Sequence, residues 1–278
     1  MASKRPLTSF SALSFDIYGT LIDWEKGIID GLKPLAARLP DSHVLKSDHV
    51  ALGLALNKYE RIFQRENPTQ TYDLILKASY EALAEELQAL PAATDTETPS
   101  SLLDKESTTF GESIGNWPAF PDTVEAMRKL KKRYKLVPVT NVDRAHFQKT
   151  LHGPLAGVHQ GLKEGEPFFD AVYTAQDIGS YKPDPRNFEY LLSHLKSDFG
   201  VEKDDVLHVA QSLFHDHEPA KIFGLQSAWI ARRDGGDGMG GKIDEYLGGE
   251  NPKVAFGWRF NTLGELAEAI ERAAEEEV

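Results

Sequence analysis

The chain has 278 residues, 31 basic and 43 acidic side chains, a formal net charge of −12, 41% hydrophobic residues and no cysteine. That balance suits a soluble globular protein of one large or two modest domains. The acidity argues against a broad nucleic-acid-binding face or a basic membrane-surface face, and the lack of cysteine excludes disulfides, thiolate nucleophiles and Cys-ligated metal centres.

The first six residues, Met1 to Pro6, are basic, but the segment after them is broken by serines and lacks the continuous apolar region of a leader. No stretch approaches the ~20 apolar residues of a membrane helix. With the absence of cysteine, this fits an intracellular, cytoplasmic setting. The first predicted strand is Ala12 to Phe15, ending at Asp16. From Trp24 to Leu103 there is almost no strand signal. Ile28, Leu32, Leu35 and Leu39 mark one helix there, Leu52, Leu56, Tyr59 and Phe63 a second, and Tyr72, Ile75, Leu76, Tyr80 and Leu83 a third. Pro91 to Thr109, rich in Ala, Thr, Ser, Pro and Asp, reads as an exposed linker.

Strands and helices then alternate. Thr123 to Tyr134 is a helix with Val124, Met127 and Leu130 on one face; Lys135 to Thr140 is a strand ending at Asn141. A short strand follows at Ala171 to Ala175, a helix at Arg186 to Lys196, a strand at Val206 to Ala210, a helix at His217 to Phe223 and a strand at Ser227 to Ala231. Asp234 to Gly241, with five glycines, reads as surface loop. The last helix runs from Leu263 to about Glu277, with Thr262 and Glu265 spaced as a capping box and a solvated acidic tail, Glu275 to Glu277. The pattern predicts an α/β fold with a parallel sheet. A helical cap inserted after the first strand would close over the carboxyl ends of the strands, where ligands bind in this class. Residues 1–23 and 112–278 would form the core, and 24–111 the cap with its linker.

Asp16 stands at the end of a buried strand, before a sharp turn at Gly19, where glycine permits close approach of a ligand. Alone, such an Asp equally caps a turn. Three further strand ends add to it. Thr140 and Asn141 offer a hydroxyl and an amide to an anion. Lys182 lies in a segment stiffened by Pro183 and Pro185. Asp216 lies just past the fourth strand. Parallel strands bring these four ends together. Asp143 and Asp184 read as a helix cap and a turn residue. His215 and His217, two positions apart, do not face one direction and read as one packed and one solvated residue. Trp24 and Trp117 fall near the cap hinges.

Asp16-x-Tyr18-Gly19-Thr20, Thr140-Asn141, Lys182-Pro183-x-Pro185 and Asp216 are similar in order and spacing to the four motifs of the haloacid dehalogenase superfamily. The resemblance covers roughly residues 10–25 and 117–232. It implies a Rossmann-like parallel-sheet core with an inserted helical cap, and Asp16 as nucleophile. The phosphatases of that superfamily carry a second Asp two places after the nucleophile, where Tyr18 stands, and an acid where Gln211 stands. The Asp-x-Tyr-Gly-Thr form resembles instead the type II 2-haloacid dehalogenases, which need no metal and in which the aspartate displaces halide from C2 of the acid.

The resemblance thus implies a hydrolase working through an Asp16 ester on a small 2-halo carboxylic acid, without a cofactor. Thr20, Thr140 and Asn141 would hold carboxylates, Lys182 would keep Asp16 ionised, and Asp216 would orient Lys182 or water. Tyr18 would wall the site. Gln211, Ser212 and Phe188 would lie beside the substrate, although the dehalogenase pattern has Ser, Asn and Tyr where Gln211, Leu213 and Phe188 stand. Arg61, or Lys58, is the candidate cap cation for the substrate carboxylate. A magnesium-dependent phosphatase with Asp16 and Asp216 on the metal is the alternative, and a non-catalytic binding scaffold a further one. The expected partner is a small anionic molecule, not nucleic acid or a membrane, and a homodimer through cap or core is compatible with the layout.

Overall fold

The structure, a computed structural model, describes residues 5–232, 239 and 243–277. The glycine-rich stretch predicted as surface loop lies outside these residues except for Met239. Six strands form one parallel sheet: β1 (Ala12–Phe15), β2 (Lys135–Thr140), β3 (Tyr173–Thr174), β4 (Val206–Ala210), β5 (Gln226–Ile230) and β6 (Trp258–Phe260). Their order is β3-β2-β1-β4-β5-β6. β1 sits centrally, pairing Phe15 with Pro138 on one side and Val209 on the other. All four of its residues are buried, as expected where helices cover both faces of a parallel sheet.

Helices follow in chain order: α1 (Trp24–Arg38), α2 (Val44–Ser47), α3 (His49–Glu66), α4 (Tyr72–Glu86), α5 (Pro99–Glu112), α6 (Thr123–Lys131), α7 (Arg144–His152), α8 (Ala175–Ile178), α9 (Pro185–Phe199), α10 (Glu218–Phe223), α11 (Ile243–Leu247) and α12 (Leu263–Glu276). Leu13 and Phe15 of β1 face the side covered by α6 and α12, with Met127, Leu130, Leu266 and Ile270. Ala12 faces the other side, under Phe188, Leu191 and Leu195 of α9. The first apolar layer runs without a break into the block α1 to α5, through Ile28, Leu32, Leu56, Leu76 and Tyr80. No described helix is long and apolar enough to cross a membrane.

The chain leaves and re-enters the sheet region through two adjacent segments. Ile22 bridges Ala119, the Asp23 amide donates to the Pro118 carbonyl at 2.8 Å, and the Phe120 amide donates to the Leu21 carbonyl at 3.1 Å. This fixes where the block α1 to α5 stands over the sheet. Within it, Arg38 of α1 forms a two-pronged pair with Glu106 of α5 at 2.9 and 2.6 Å.

Several local expectations are corrected. The predicted linker is helical over Pro99–Glu112: Thr98 caps it, Pro99 opens it, and Leu103 and Phe110, two turns apart, are buried. Proline and the polar run masked a helix whose apolar stripe is thin. β6 went unread because three residues give no period. At the C-terminal helix, Thr262 accepts from the Glu265 amide at 3.1 Å, but Glu265 reaches the Asn261 amide at 2.7 Å, one residue before the cap. Glu277 is not merely solvated: it accepts from Thr8 and lies 3.3 Å from Arg133. Asp143 caps α7 as read, and Asp184, read as a turn residue, caps α9.

Candidate active site

β1 delivers Asp16, and the turn beyond it depends on Gly19, whose φ is +105°. A side chain there would be strained and would meet the Trp24 ring at 2.8 Å. The turn brings Thr20 back, so that its hydroxyl donates to Asp16 Oδ2 at 2.7 Å while Thr20 Oγ1 accepts from the Gln211 amide at 2.9 Å. Lys182 reaches in from the segment before α9. Its Nζ donates to Asp16 Oδ1 at 2.8 Å and to Asp216 Oδ1 at 2.7 Å. Asn141, at the end of β2, grips the lysine backbone: Oδ1 accepts from the Lys182 amide at 2.7 Å and Nδ2 donates to the Lys182 carbonyl at 3.2 Å. The stiffness expected from the prolines is thus supplied in part by Asn141.

A second layer went unread in the sequence. His208, inside β4, contacts Asp216 Oδ1 through Nε2 at 3.0 Å and Ser14 Oγ through Nδ1 at 2.8 Å. Burial raises the cost of the Asp216 charge, but Lys182 and His208 outweigh it and hold that carboxyl well below its ordinary range. An ionised Asp216 only accepts, so Nε2–H of His208 donates to it. Asp216 Oδ2 is buried without a hydrogen-bond partner.

Asp16 behaves oppositely. Burial pushes its carboxyl above the ordinary value, and Lys182 and Thr20 only partly oppose this. One ammonium is thus shared by two buried carboxylates, and at Asp16 burial outweighs what Lys182 and Thr20 contribute. Lys182 itself stays charged, because the two carboxylates outweigh its burial.

These groups floor a cavity whose walls include Tyr18, Thr140, Asn141, Gln211, Ser212 and His215. Its roof is one face of α3, where Asn57, Glu60, Arg61 and Gln64 recur at helical spacing, with Tyr72 from α4 beside them. Burial keeps the Tyr18 phenol protonated, and its oxygen lies 2.6 Å from Thr150 Oγ1. Arg61 lies at the cavity, its guanidinium over the Phe214 ring at 5.0 Å. Lys58 turns away toward Glu86, at 3.5 Å. Phe188 is not brought to the site: fully buried under the sheet, it packs edge-on against His208 at 5.1 Å. Its aromatic character mimics the family tyrosine, but α9 points it into the core. Thr20 touches Asp16 and not the cavity. Trp24 lines the cavity, and Trp117 packs edge-on against Tyr18 at 6.0 Å.

Of the two neighbouring histidines, His217 is packed and His215 is only half-buried, at the wall of the cavity. His217 is fully buried, between Ser227 Oγ at 3.0 Å and the Ala210 carbonyl at 2.9 Å, and burial lowers it to about 4. His215, against Ser212 at 3.1 Å, is also lowered to about 4 by burial. An imidazole depressed from 6.5 binds protons more tightly unfolded, so its stabilising effect is present above about 6.5 and lost as pH falls through about 4. A shift of this size corresponds to about 3 kcal/mol per group. His217→Gln is therefore expected to melt progressively higher relative to wild type as pH falls from 6.5 to 4; a pH-independent difference would refute the assignment.

Magnesium needs about six oxygens near 2.1 Å. Here the ammonium of Lys182 stands between Asp16 and Asp216, Thr20 takes the other Asp16 oxygen, and Gln211 stands where a further acid would be required. The set at the cavity floor therefore offers two carboxylates, Asp16 and Asp216, and no third, with Lys182 already between them. Among the described residues, a carboxylate–histidine group with metal-like spacing lies elsewhere, at Asp73, Asp143 and His146.

Haloacid dehalogenase-like hydrolases, as a family, match residues 10–216 of the chain. The chain belongs to this family. It is 34% identical over 120 residues to the haloacid dehalogenase-like hydrolase domain-containing protein 3 of Bos taurus, a match spanning 43% of this chain and 42% of that protein. As a haloacid dehalogenase-like hydrolase it shares its fold with the L-2-haloacid dehalogenase of Xanthobacter autotrophicus carrying covalently bound chloropropionic acid, with 19% identity, TM-score 0.62, and 94% and 98% of the two chains covered. It shares it equally with the putative hydrolase YfnB of Bacillus subtilis bound to magnesium, at 18% identity, TM-score 0.61, and 94% and 99% covered. At these identities the likeness is one of fold.

Proposed function

We propose that this haloacid dehalogenase-like hydrolase forms an ester between Asp16 and C2 of a small 2-halo carboxylic acid, then hydrolyses it. One observation carries the reading: Lys182 joins Asp16 to Asp216 at 2.8 and 2.7 Å on the floor of a cavity. Asp16, oriented by Lys182 and Thr20, attacks C2, and the C2–halogen electron pair leaves with the halide. Arg61 at the roof, with Ser212 and Thr140 on the walls, receives the substrate carboxylate. The block α1 to α5 acts as the cap that excludes bulk water. Water then attacks the ester carbonyl of Asp16, oriented by the unpartnered Asp216 Oδ2, and the 2-hydroxy acid departs with one former Asp16 oxygen. The covalently bound acid of the Xanthobacter enzyme supports this route by likeness of fold.

The test is multiple turnover of 2-chloropropionate in ¹⁸O water, followed by mass spectrometry of the peptide holding Asp16. Label is expected in Asp16, and turnover should survive a chelator. Turnover without label in Asp16, or activity that vanishes with chelation and returns with magnesium, would overturn the proposal in favour of a metal-dependent hydrolase.

A further inference from the structure

The roof of the cavity holds a carboxyl group that the proposed reaction does not yet use. Glu60 is 7% exposed. Tyr72 donates to its Oε2 at 3.1 Å, while Oε1 is buried without a hydrogen-bond partner. Its neighbour Arg61 is engaged over Phe214. A carboxylate shut into such a place without an ion pair prefers its proton, and burial pushes Glu60 up to about 7. Since Oε2 already accepts from Tyr72, the proton of the acid form belongs on Oε1. Glu60 and Asp16 line the same cavity from opposite elements, roof and floor. Tyr18, in the place where the related phosphatases keep their leaving-group acid, holds its proton too tightly to serve.

We infer that Glu60 is the proton donor to the leaving group, so that the substrate class of this site includes acids whose leaving group is basic, fluoride first among the halides. The inference rests on the Asp16 ester proposed above. In the first half-reaction Asp16 forms a bond to C2, the C–F bond breaks with its electron pair on fluorine, and the Glu60 proton passes to fluorine, giving hydrogen fluoride and a Glu60 carboxylate. In the second, water adds at the Asp16 ester, the 2-hydroxy acid leaves, and the proton released as Asp16 re-ionises restores Glu60. Chloride and bromide depart without a proton and depend on Glu60 far less.

The groups facing Glu60 set its pH behaviour. On its own helix there is Arg61, whose charge favours ionisation, and on α4 there is Tyr72, whose hydrogen bond does the same. Tyr181 packs on the far side of Tyr72 at 6.4 Å. Across the cavity stand Asp16, Lys182, Asp216, His215 and Tyr246. A donor must be protonated, so fluoride release should decline as pH rises through about 7.

The experiment measures kcat for 2-fluoropropionate and 2-chloropropionate from pH 5 to 9 in wild type, Glu60→Gln and Tyr72→Phe. Glu60→Gln should lower fluoride release about 100-fold, the low end of a general acid's contribution, and chloride release only a few-fold. Tyr72→Phe, which removes a bond favouring the ionised form, should move the alkaline limb of the fluoride profile to higher pH. Equal losses for both substrates in Glu60→Gln, or an unmoved limb in Tyr72→Phe, overturns the assignment while leaving the Asp16 ester standing. If neither haloacid turns over, the ester reading has failed. The same comparison then uses 4-nitrophenyl and phenyl phosphate. Selective loss of the phenyl ester in Glu60→Gln supports the donor role, and equal loss, or no turnover of either ester, overturns it.

Discussion

Asp16→Asn is expected to lower turnover by about 10⁴-fold or more while leaving the fold at least as stable as the wild type. An amide cannot form the ester, and removal of a covalent nucleophile costs enzymes on the order of 10⁴–10⁶ in kcat. The stability expectation follows from charge. Two buried carboxylates share one ammonium, and burial holds Asp16 above its ordinary value. A carboxyl raised on folding contributes stability below its unfolded value and loses it as pH rises through the folded value. At neutral pH the ionised Asp16 therefore weakens the fold, and Asn removes that effect while Lys182 and Asp216 remain a balanced pair. The variant's gain in melting temperature should grow as pH rises above about 4, the ordinary value from which folding raises Asp16. Parallel kinetics and thermal melts check both parts. Residual turnover above about one part in a hundred, or a variant that melts several degrees lower, defeats the argument: the first by removing the nucleophile's role, the second by showing that Asp16 holds the site together.

This opposition between activity and stability explains which parts of the site could be read from sequence. Asp16, Thr140, Lys182 and Asp216 stand at the ends of buried strands or of short stiff segments, and parallel β-strands bring such ends together whatever else the chain does. Strands β1, β2 and β4 were equally legible, since a continuous apolar run ending in a polar residue marks a strand buried on both faces. Asn141, expected as a donor to a carboxylate, lines the cavity and also clamps the backbone of Lys182.

The residues that escaped notice are those whose surroundings are made by distant elements. His208 sits in mid-strand, where alternation predicts an apolar side chain, and only the meeting of β1, β4 and the Asp216 turn satisfies both its nitrogens. Glu60 lies on a helix rich in charge, and an acid in such a run reads as solvent-facing. The signal available was the recurrence of Asn57, Glu60, Arg61 and Gln64 on one helical face, and it becomes meaningful once α4 covers that face with Tyr72. α5 escaped for a related reason, because its burial comes from α1 and α4 and its composition suggests a loop. Periodicity reports what each element wants to bury; it does not report which polar groups the assembled elements trap.

Lys182→Met is expected to be the most disruptive single change in the site, lowering stability by about 3–5 kcal/mol, as when one partner of a buried ion pair is removed. The methionine fills much of the lysine's volume, so the loss is electrostatic: Asp16 and Asp216, 7% and 0% exposed, then face one another without the cation that each now contacts. One of them must take up a proton, and its raised value makes the variant's stability fall as pH rises, so its deficit against wild type should be smallest near pH 5 and largest near pH 8. Turnover should be lost even where the variant is folded, because a protonated Asp16 is no nucleophile. A combined Asp16→Asn, Lys182→Met protein separates charge from packing. With Asp16 neutralised, Asp216 retains the His208 hydrogen bond at 3.0 Å, and the double variant should be more stable than Lys182→Met alone, with a coupling of about 0.5–3 kcal/mol, the range for residues in one network. Denaturant unfolding of the two single variants and the double variant measures that coupling. Strict additivity would mean that Asp16 and Lys182 do not share their charge in the folded protein, and would remove the electrostatic basis for both the nucleophile and the cavity floor.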